Sequence, residues 1–383
     1  MVAPWSSFRF QSGAIAKNRF VLAPMTTDAS SPDGSVTPEE LAYARRRCAS
    51  GFGTAITACA YVHDDGRSWN GIGAARAEHV ASLARLAREF QVAGGVAILQ
   101  LYDGGRIARA SLVGDDRLRA PSAIASLRPG ALTPREMTVA ELEHLIESFR
   151  TAARRAQDAG FDGIELHGAN HYLMHQFFSP RANQRQDGWG GDLDRRMRFP
   201  LAVAEAVREG VGSTMVVGYR LTPFEAEPDG YGLDDAIVLA DRLADLRIDY
   251  LHISLDDFRS QSPQREDRSY TVQSQPRGDG RSAITAIAEV VAGRCAVVAC
   301  GGIRTEADAG LALAAGADLV AVGRAALVDP DWLVKVQTGD EAAIATQLPH
   351  DPRDIARERT IPPRMVDYLL GRPGWIPRQG SGS

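Results

Sequence analysis

Cysteine is scarce in this chain: four in 383 residues, Cys48, Cys59, Cys295 and Cys300, with no C-x-x-C pair. That excludes a zinc ribbon and the usual cysteine sets of iron–sulfur centres. The same usage fits a reducing compartment. Apolar runs of about 20 residues are missing, so no membrane span is expected. The N-terminal MVAPWSSFRF lacks a basic segment followed by an apolar run. No signal peptide is therefore expected, and the expected location is the cytoplasm. An excess of positive charge is missing too: 43 Lys and Arg stand against 48 Asp and Glu, for a net charge of −5. A dedicated nucleic-acid binder would be basic. No G-x-G-x-x-G follows a strand, and there is no Walker loop, H-E-x-x-H or G-x-S-x-G elbow. No linker or low-complexity stretch divides the chain.

What remains is an ordinary globular composition, 44% hydrophobic and 24% charged. A chain of this length buries roughly three quarters of its unfolded surface and needs no disulfide staples. Eight short, mostly apolar runs read as strands covered on both faces: Val21–Pro24, Thr54–Ala58, Gly95–Leu101, Gly163–His167, Met215–Arg220, Tyr250–Ser254, Ala296–Cys300 and Leu319–Val322. Helical patterns lie between them. Thr37 with Pro38 opens one, and Thr138 with Glu141 makes a capping box before another. Eight alternations imply a parallel sheet with right-handed crossovers. The expected fold is α/β, a (β/α)₈ TIM barrel in a single domain over residues 1–383. Its core spans about 18–340, with a C-terminal tail at 341–383. A doubly wound sheet is the alternative. Connections 102–137, 168–192 and 255–281 leave C-terminal strand ends and should roof the active-site face.

Two strand ends suit a phosphate. Gly301-Gly302 ends the seventh strand, and Gly323-Arg324 ends the eighth before a helix expected near Asp329. Glycines expose backbone N–H groups there, and the arginine adds charge. The richest stretch is Glu165 to His175. His167, His171 and His175 are spaced i, i+4, i+8 and would share one helical face. His167 belongs on a strand, however, so no metal is expected. A second reading makes His167 and Asn170 paired donors to one oxygen, with Tyr172 a nearby proton donor.

These segments resemble the Old Yellow Enzyme family of FMN-dependent ene-reductases. Asn18–Thr26 and Gln100–Arg106 resemble its first- and third-strand motifs. His167–Pro180, continuing through Asn183, Arg185, Asp187 and Trp189-Gly-Gly191 to Phe199, is the strongest match. The resemblance runs from Asn18 to about Trp332. It implies tightly bound, non-covalent FMN, with NADPH or NADH as reductant. It also implies that Ala23, Pro24, Met25 and Thr26 border the flavin ring, with Thr26 near O4. Ala60 would line the ring, and Gln100 would bond its pyrimidine edge. Arg220 would lie near N1 and O2, and Gly301, Gly302, Gly323 and Arg324 would hold the phosphate. His167, also a cofactor neighbour, and Asn170 would hold the carbonyl oxygen of an enone-like substrate. Tyr172 would protonate its α-carbon while the β-carbon takes hydride.

Several positions depart from the pattern. Asp103 replaces a common histidine, Asp28 a tyrosine of one subgroup, His171 a small residue and Arg195 an asparagine. Asp28 and Asp103 are read as solvated loop acids or, alternatively, as pocket residues. The alternatives for function are another FMN barrel oxidoreductase with a different substrate, and a non-catalytic flavin binder. Partners are expected to be small molecules, with no nucleic acid or membrane, and the protein to be a monomer or homo-oligomer.

Overall fold

The computed structural model describes residues 2–227, 229–261 and 282–380. Eight parallel strands close into a barrel: β1 Phe20–Leu22, β2 Thr54–Ile56, β3 Val96–Tyr102, β4 Gly163–Gly168, β5 Val216–Leu221, β6 Tyr250–Ile253, β7 Ala296–Cys300 and β8 Leu319–Val322. Closure comes from β8 pairing with β1, Val320 opposite Phe20. A two-residue strand, Ala60–Tyr61, adds to the end of β3. Each expected strand is present, with ends shifted by at most two residues. Their apolar runs follow from burial on both faces, by the barrel interior and by the helices.

The helices are α1 Pro38–Cys48, α2 Val80–Gln91, α3 Val139–Asp158, α4 Leu173–Phe178, α5 Leu193–Val211, α6 Leu233–Asp245, α7 Ala283–Val291, α8 Glu306–Ala314, α9 Arg324–Val328, α10 Trp332–Gln337, α11 Pro352–Arg359 and α12 Pro363–Leu370. Capping boxes start α1 (Thr37, Glu40), α3 (Thr138, Glu141) and α8 (Thr305, Asp308). Each satisfies backbone N–H groups that a helix start leaves unpaired. The helix expected near Asp329 begins earlier, at Arg324, with Gly323 as its N-cap.

Two cores result. The outer one packs helices on the barrel, with Leu142, Leu145 and Phe149 of α3 buried among Leu99, Ile164 and Leu166. The inner one fills the barrel's lower half with Ile98, Val216, Tyr250, Val298 and Leu319. Phe10, beside a short N-terminal hairpin (Phe8–Arg9 with Ile15–Ala16), plugs it, its ring 6.0 Å from that of Tyr250. Gly218 on β5 makes room for this layer. A Cβ there would lie 2.1 Å from the Tyr250 ring.

Residues 341–380 are a folded segment, where a tail is expected from sequence. Ile355, Met365, Val366 and Leu369 pack against Tyr43, Leu327 and Val328. Their burial is amphipathic at helical spacing. Arg47, fully buried on α1, bolts the segment down by donating to the carbonyls of Arg359 and Thr360. Residues 381–383 lie outside the described residues, as does 262–281 of the third roofing connection. Among the described residues no helix is long and apolar enough to cross a membrane.

Candidate active site

The C-terminal strand ends open into one cavity of about 1140 Å³. One wall is the chain leaving β1: Ala23, Pro24, Met25 and Thr26. The ladder fixes its start, since Ala23 N donates to Val322 O at 3.0 Å. The far end is Gly301, Gly302, Gly323 and Arg324. Gly301 and Gly302 have φ of +113° and +70°, conformations that favour glycine. Arg324 donates to Asp256 O at 2.8 Å. Arg304, not singled out from sequence, lines the same end. It is exposed.

The cavity floor carries buried charge. Register puts His167 on β4, Arg220 on β5 and His252 on β6 at one level. Glu165 lies beneath, fully buried, between Gln100 Nε2 at 2.6 Å and His252 Nδ1 at 2.9 Å. Burial works most strongly against ionising Glu165 and His252, but His252, Arg220 and Gln100 together outweigh it for the carboxylate, and Glu165 with Cys300 does so for the imidazole. The carboxylate is lowered and the imidazole raised. Beside them Cys300 also lines the cavity; burial raises its thiol, yet His252 and Arg220 outweigh that and lower it. Arg220 Nη2 donates to Ser254 Oγ at 3.1 Å, while its Nε is buried without a partner. With Gln100 Nε2 engaged by Glu165, the amide has its oxygen left to offer.

His167, Asn170 and Tyr172 line this cavity together. Burial, then the Arg220 guanidinium, holds the His167 imidazole well below its ordinary value, so it is neutral. Its Nδ1 accepts from Ala169 N at 3.4 Å, which leaves the ring proton on Nε2. Asn170 sits at φ +56°. Its Oδ1 accepts from Ser254 Oγ at 3.3 Å, so the Nδ2 amide is its free donor. The site therefore offers two neutral donors. The Tyr172 ring packs edge-on to those of His167 at 4.6 Å and Tyr102 at 4.9 Å. Burial raises the Tyr172 phenol well above its ordinary value and keeps it protonated. Trp69 Nε1 donates to Tyr172 Oη at 2.8 Å, which directs the phenol proton elsewhere.

Ala60 differs from the sequence expectation. It is fully buried and outside the cavity lining, while the adjacent Cys59 lines the cavity. Burial pushes the Cys59 thiol up to about 12, and Cys59 packs in one apolar cluster with Tyr172. Asp103 is not a solvated loop acid. Fully buried, it pairs with Arg119 at 3.1 Å and caps Gly105 N at 2.9 Å. Asp28 accepts from Asn70 N at 2.6 Å and pairs with Arg109 at 3.6 Å. Neither Asp28, Asp103 nor Arg195 lines the cavity, whereas His171 does.

The folded C-terminal segment contributes to the roof. Tyr368, Arg372, Trp375 and Ile376 all line the cavity. Tyr368 packs edge-on to Trp69 at 5.2 Å, and the Arg372 guanidinium lies 4.4 Å over the Tyr368 ring. The helical spacing of Met365, Val366 and Leu369 is the signal that could have revealed this segment.

Residues 9–342 match the model described as the NADH:flavin oxidoreductase / NADH oxidase family. The chain is 40% identical over 375 residues to an NADH:fumarate oxidoreductase of Klebsiella pneumoniae, covering 95% of this chain and 40% of that protein. It is 36% identical over 375 residues to a probable NADH-dependent flavin oxidoreductase YqiG of Bacillus subtilis, covering 97% and 96%. The chain thus spans well under half of the first relative and nearly all of the second. Among solved structures it is similar to morphinone reductase in complex with tetrahydroNAD, at TM-score 0.74 and 27% identity, covering 93% and 94%.

Proposed function

The chain belongs to the NADH:flavin oxidoreductase / NADH oxidase family, with FMN as cofactor and NAD(P)H as reductant, and we propose that it reduces the activated C=C bond of α,β-unsaturated carbonyl compounds. The residues present fit FMN. Gly301, Gly302, Gly323 and Arg324 suit the phosphate. The unpartnered Arg220 Nε and the free oxygen of Gln100 suit the polar ring edge, and Ala23–Thr26 suit its flat face. Bound FMN supplies hydride transfer between the nicotinamide and the acceptor.

His167 Nε2 and Asn170 Nδ2 hold the carbonyl oxygen and withdraw charge, so that the β-carbon becomes electrophilic. Tyr172 Oη gives the proton to the α-carbon. Trp69 aims the phenol, and the C-terminal roof covers it. The observation that carries this reading is the pair of neutral donors beside a protonated phenol on one cavity wall. The printed fumarate activity belongs to a protein more than twice this length, so it does not define this site's acceptor.

The test separates the two half-reactions under anaerobic conditions. NADH or NADPH should bleach the holoprotein, and cyclohexenone should restore the colour. Tyr172→Phe should slow recolouring by roughly 10²–10⁴-fold and leave bleaching intact. For His167→Ala, recolouring should lose about 2.7–4 kcal/mol of barrier stabilisation. Recolouring at the wild-type rate in both variants would remove the assignment. Failure of every enone, nitroalkene and maleimide would favour a different acceptor.

A further inference from the structure

His171 is one of the departures from the family pattern noted above, and it does not stand alone. It lies at φ +62°, directly after Asn170 at φ +56°. Gln176 Nε2 pins its carbonyl at 2.6 Å. From there its ring meets that of His175 on α4, with centroids 4.7 Å apart. His171 Nδ1 is 3.9 Å from Glu225 Oε1, and its Nε2 is 3.7 Å from Glu227 Oε1. His175 Nε2 is 2.8 Å from the same Glu225 oxygen. One donor atom each from His171, His175 and Glu225 lies within 4.8 Å of the others.

We propose that His171, His175 and Glu225 form a binding site for a divalent transition-metal ion of the zinc class on the wall of the substrate cavity. The donor set is two imidazoles and one carboxylate, which suits zinc, nickel or cobalt rather than magnesium or calcium. The distances need only small shifts of the side chains. Zinc bonds of about 2.0–2.2 Å place tetrahedral donors roughly 3.3–3.6 Å apart. The 2.8 and 3.9 Å separations at Glu225 Oε1 bracket that range.

Two further observations point to a ligand. Glu227 Oε2, beside His171, is buried without a hydrogen-bond partner. The second carboxylate oxygen of Glu225 is held from behind, by Ser179 Oγ at 2.7 Å and Tyr231 N at 3.2 Å. That is the outer support a metal-ligating carboxylate needs. Two carboxylates face the site, with the guanidiniums of Arg106 and Arg196 within electrostatic reach of Glu225. His171, His175, Glu225 and Glu227 all line the cavity, so three protein ligands leave a coordination position open toward it. His167 of the strand takes no part. The helical spacing of the three histidines therefore misleads about the ligand set, and the third ligand comes from the loop after β5.

The test uses the untagged, FMN-loaded protein. Equilibrium dialysis should find one Zn²⁺ per chain, and Co²⁺ should give visible absorption bands of a four- or five-coordinate site. His171→Gly suits the local backbone, and retained flavin absorption checks its fold. It should weaken Zn²⁺ binding at least tenfold and abolish the Co²⁺ bands. Ser179→Ala should weaken binding by about 10–100-fold through loss of outer support. Zn²⁺ binding that is equal in wild type and His171→Gly would overturn the proposal. So would an absence of stoichiometric binding, which would leave His175 and Glu225 as a hydrogen-bonded wall only.

Discussion

Two histidine–glutamate pairs of nearly equal length, 2.9 and 2.8 Å, sit in opposite settings. His252–Glu165 lies inside the barrel on β6 and β4, both side chains wholly buried. Sheet register fixes it, Gln100 donates to the carboxylate, and Arg220 adds positive charge beside it. His175–Glu225 lies in the roof, on a six-residue helix and a loop. Its neighbours His171 and Glu227 are partly exposed to the cavity. The same chemical pair is thus a closed strut in one place and an open wall in the other. What differs is the number of directions from which backbone fixes the partners.

The comparison is broken or sharpened most strongly by Glu165→Gln. It leaves His252 and Arg220 without their buried counter-charge, and breaking such a pair costs about 3–5 kcal/mol. Urea unfolding of the holoprotein measures it, and a loss below about 1 kcal/mol would end the strut description. Glu225→Gln keeps an acceptor for Ser179 and Tyr231 and weakens one hydrogen bond to a charged group, so a loss of about 1.5–3 kcal/mol is expected. Equal losses at both sites would erase the distinction.

A smaller effect concerns pH. His252 has a raised value in the folded protein. Its stabilising contribution is full below the unfolded value near 6.5 and fades as pH rises through the folded one. Glu165 has a lowered value. Its contribution is full above the unfolded carboxylate value and fades as pH falls through the folded one. The stability gap between wild type and Glu165→Gln should therefore narrow as pH climbs from about 6.5. A gap that widens over that range would contradict the pairing. The smallest expected change is a gain. His171→Gly removes a non-glycine residue from φ +62° and should stabilise by about 1 kcal/mol. No gain would mean that the roof holds the conformation without strain.

Much of the barrel was legible in the sequence, because strands covered on both faces must be apolar throughout, as Ala296–Cys300 and Leu319–Val322 are. The cavity wall from Ala23 to Thr26, the glycine strand ends and the His167–Tyr172 segment were legible as contiguous motifs. Contacts that depend on register were not. Glu165–His252 needs strand offsets that no single stretch encodes, and Glu225 is 50 residues from His175. Ala60 and Cys59 exchanged places because the chain leaves the ladder after Ile56 before pairing again, so strand alternation no longer tells which side faces in. The charge at Asp103 suggested solvent, but Arg119 neutralises it within the fold. The segment after residue 340 was missed because its apolar residues are few and set among charges.

Arg47 and Thr360, joined across 313 residues of sequence, have a consequence for how the protein is made. The cavity needs β1 at one extreme of the chain and Tyr368 to Ile376 at the other. Pairings of such separation form late, after the entropy of closing the intervening chain has been met. A ribosome-bound barrel lacking its last helices would therefore present an unroofed site. Full retention of cofactor colour would then act as a gauge of whether residues 341–380 have docked on the barrel.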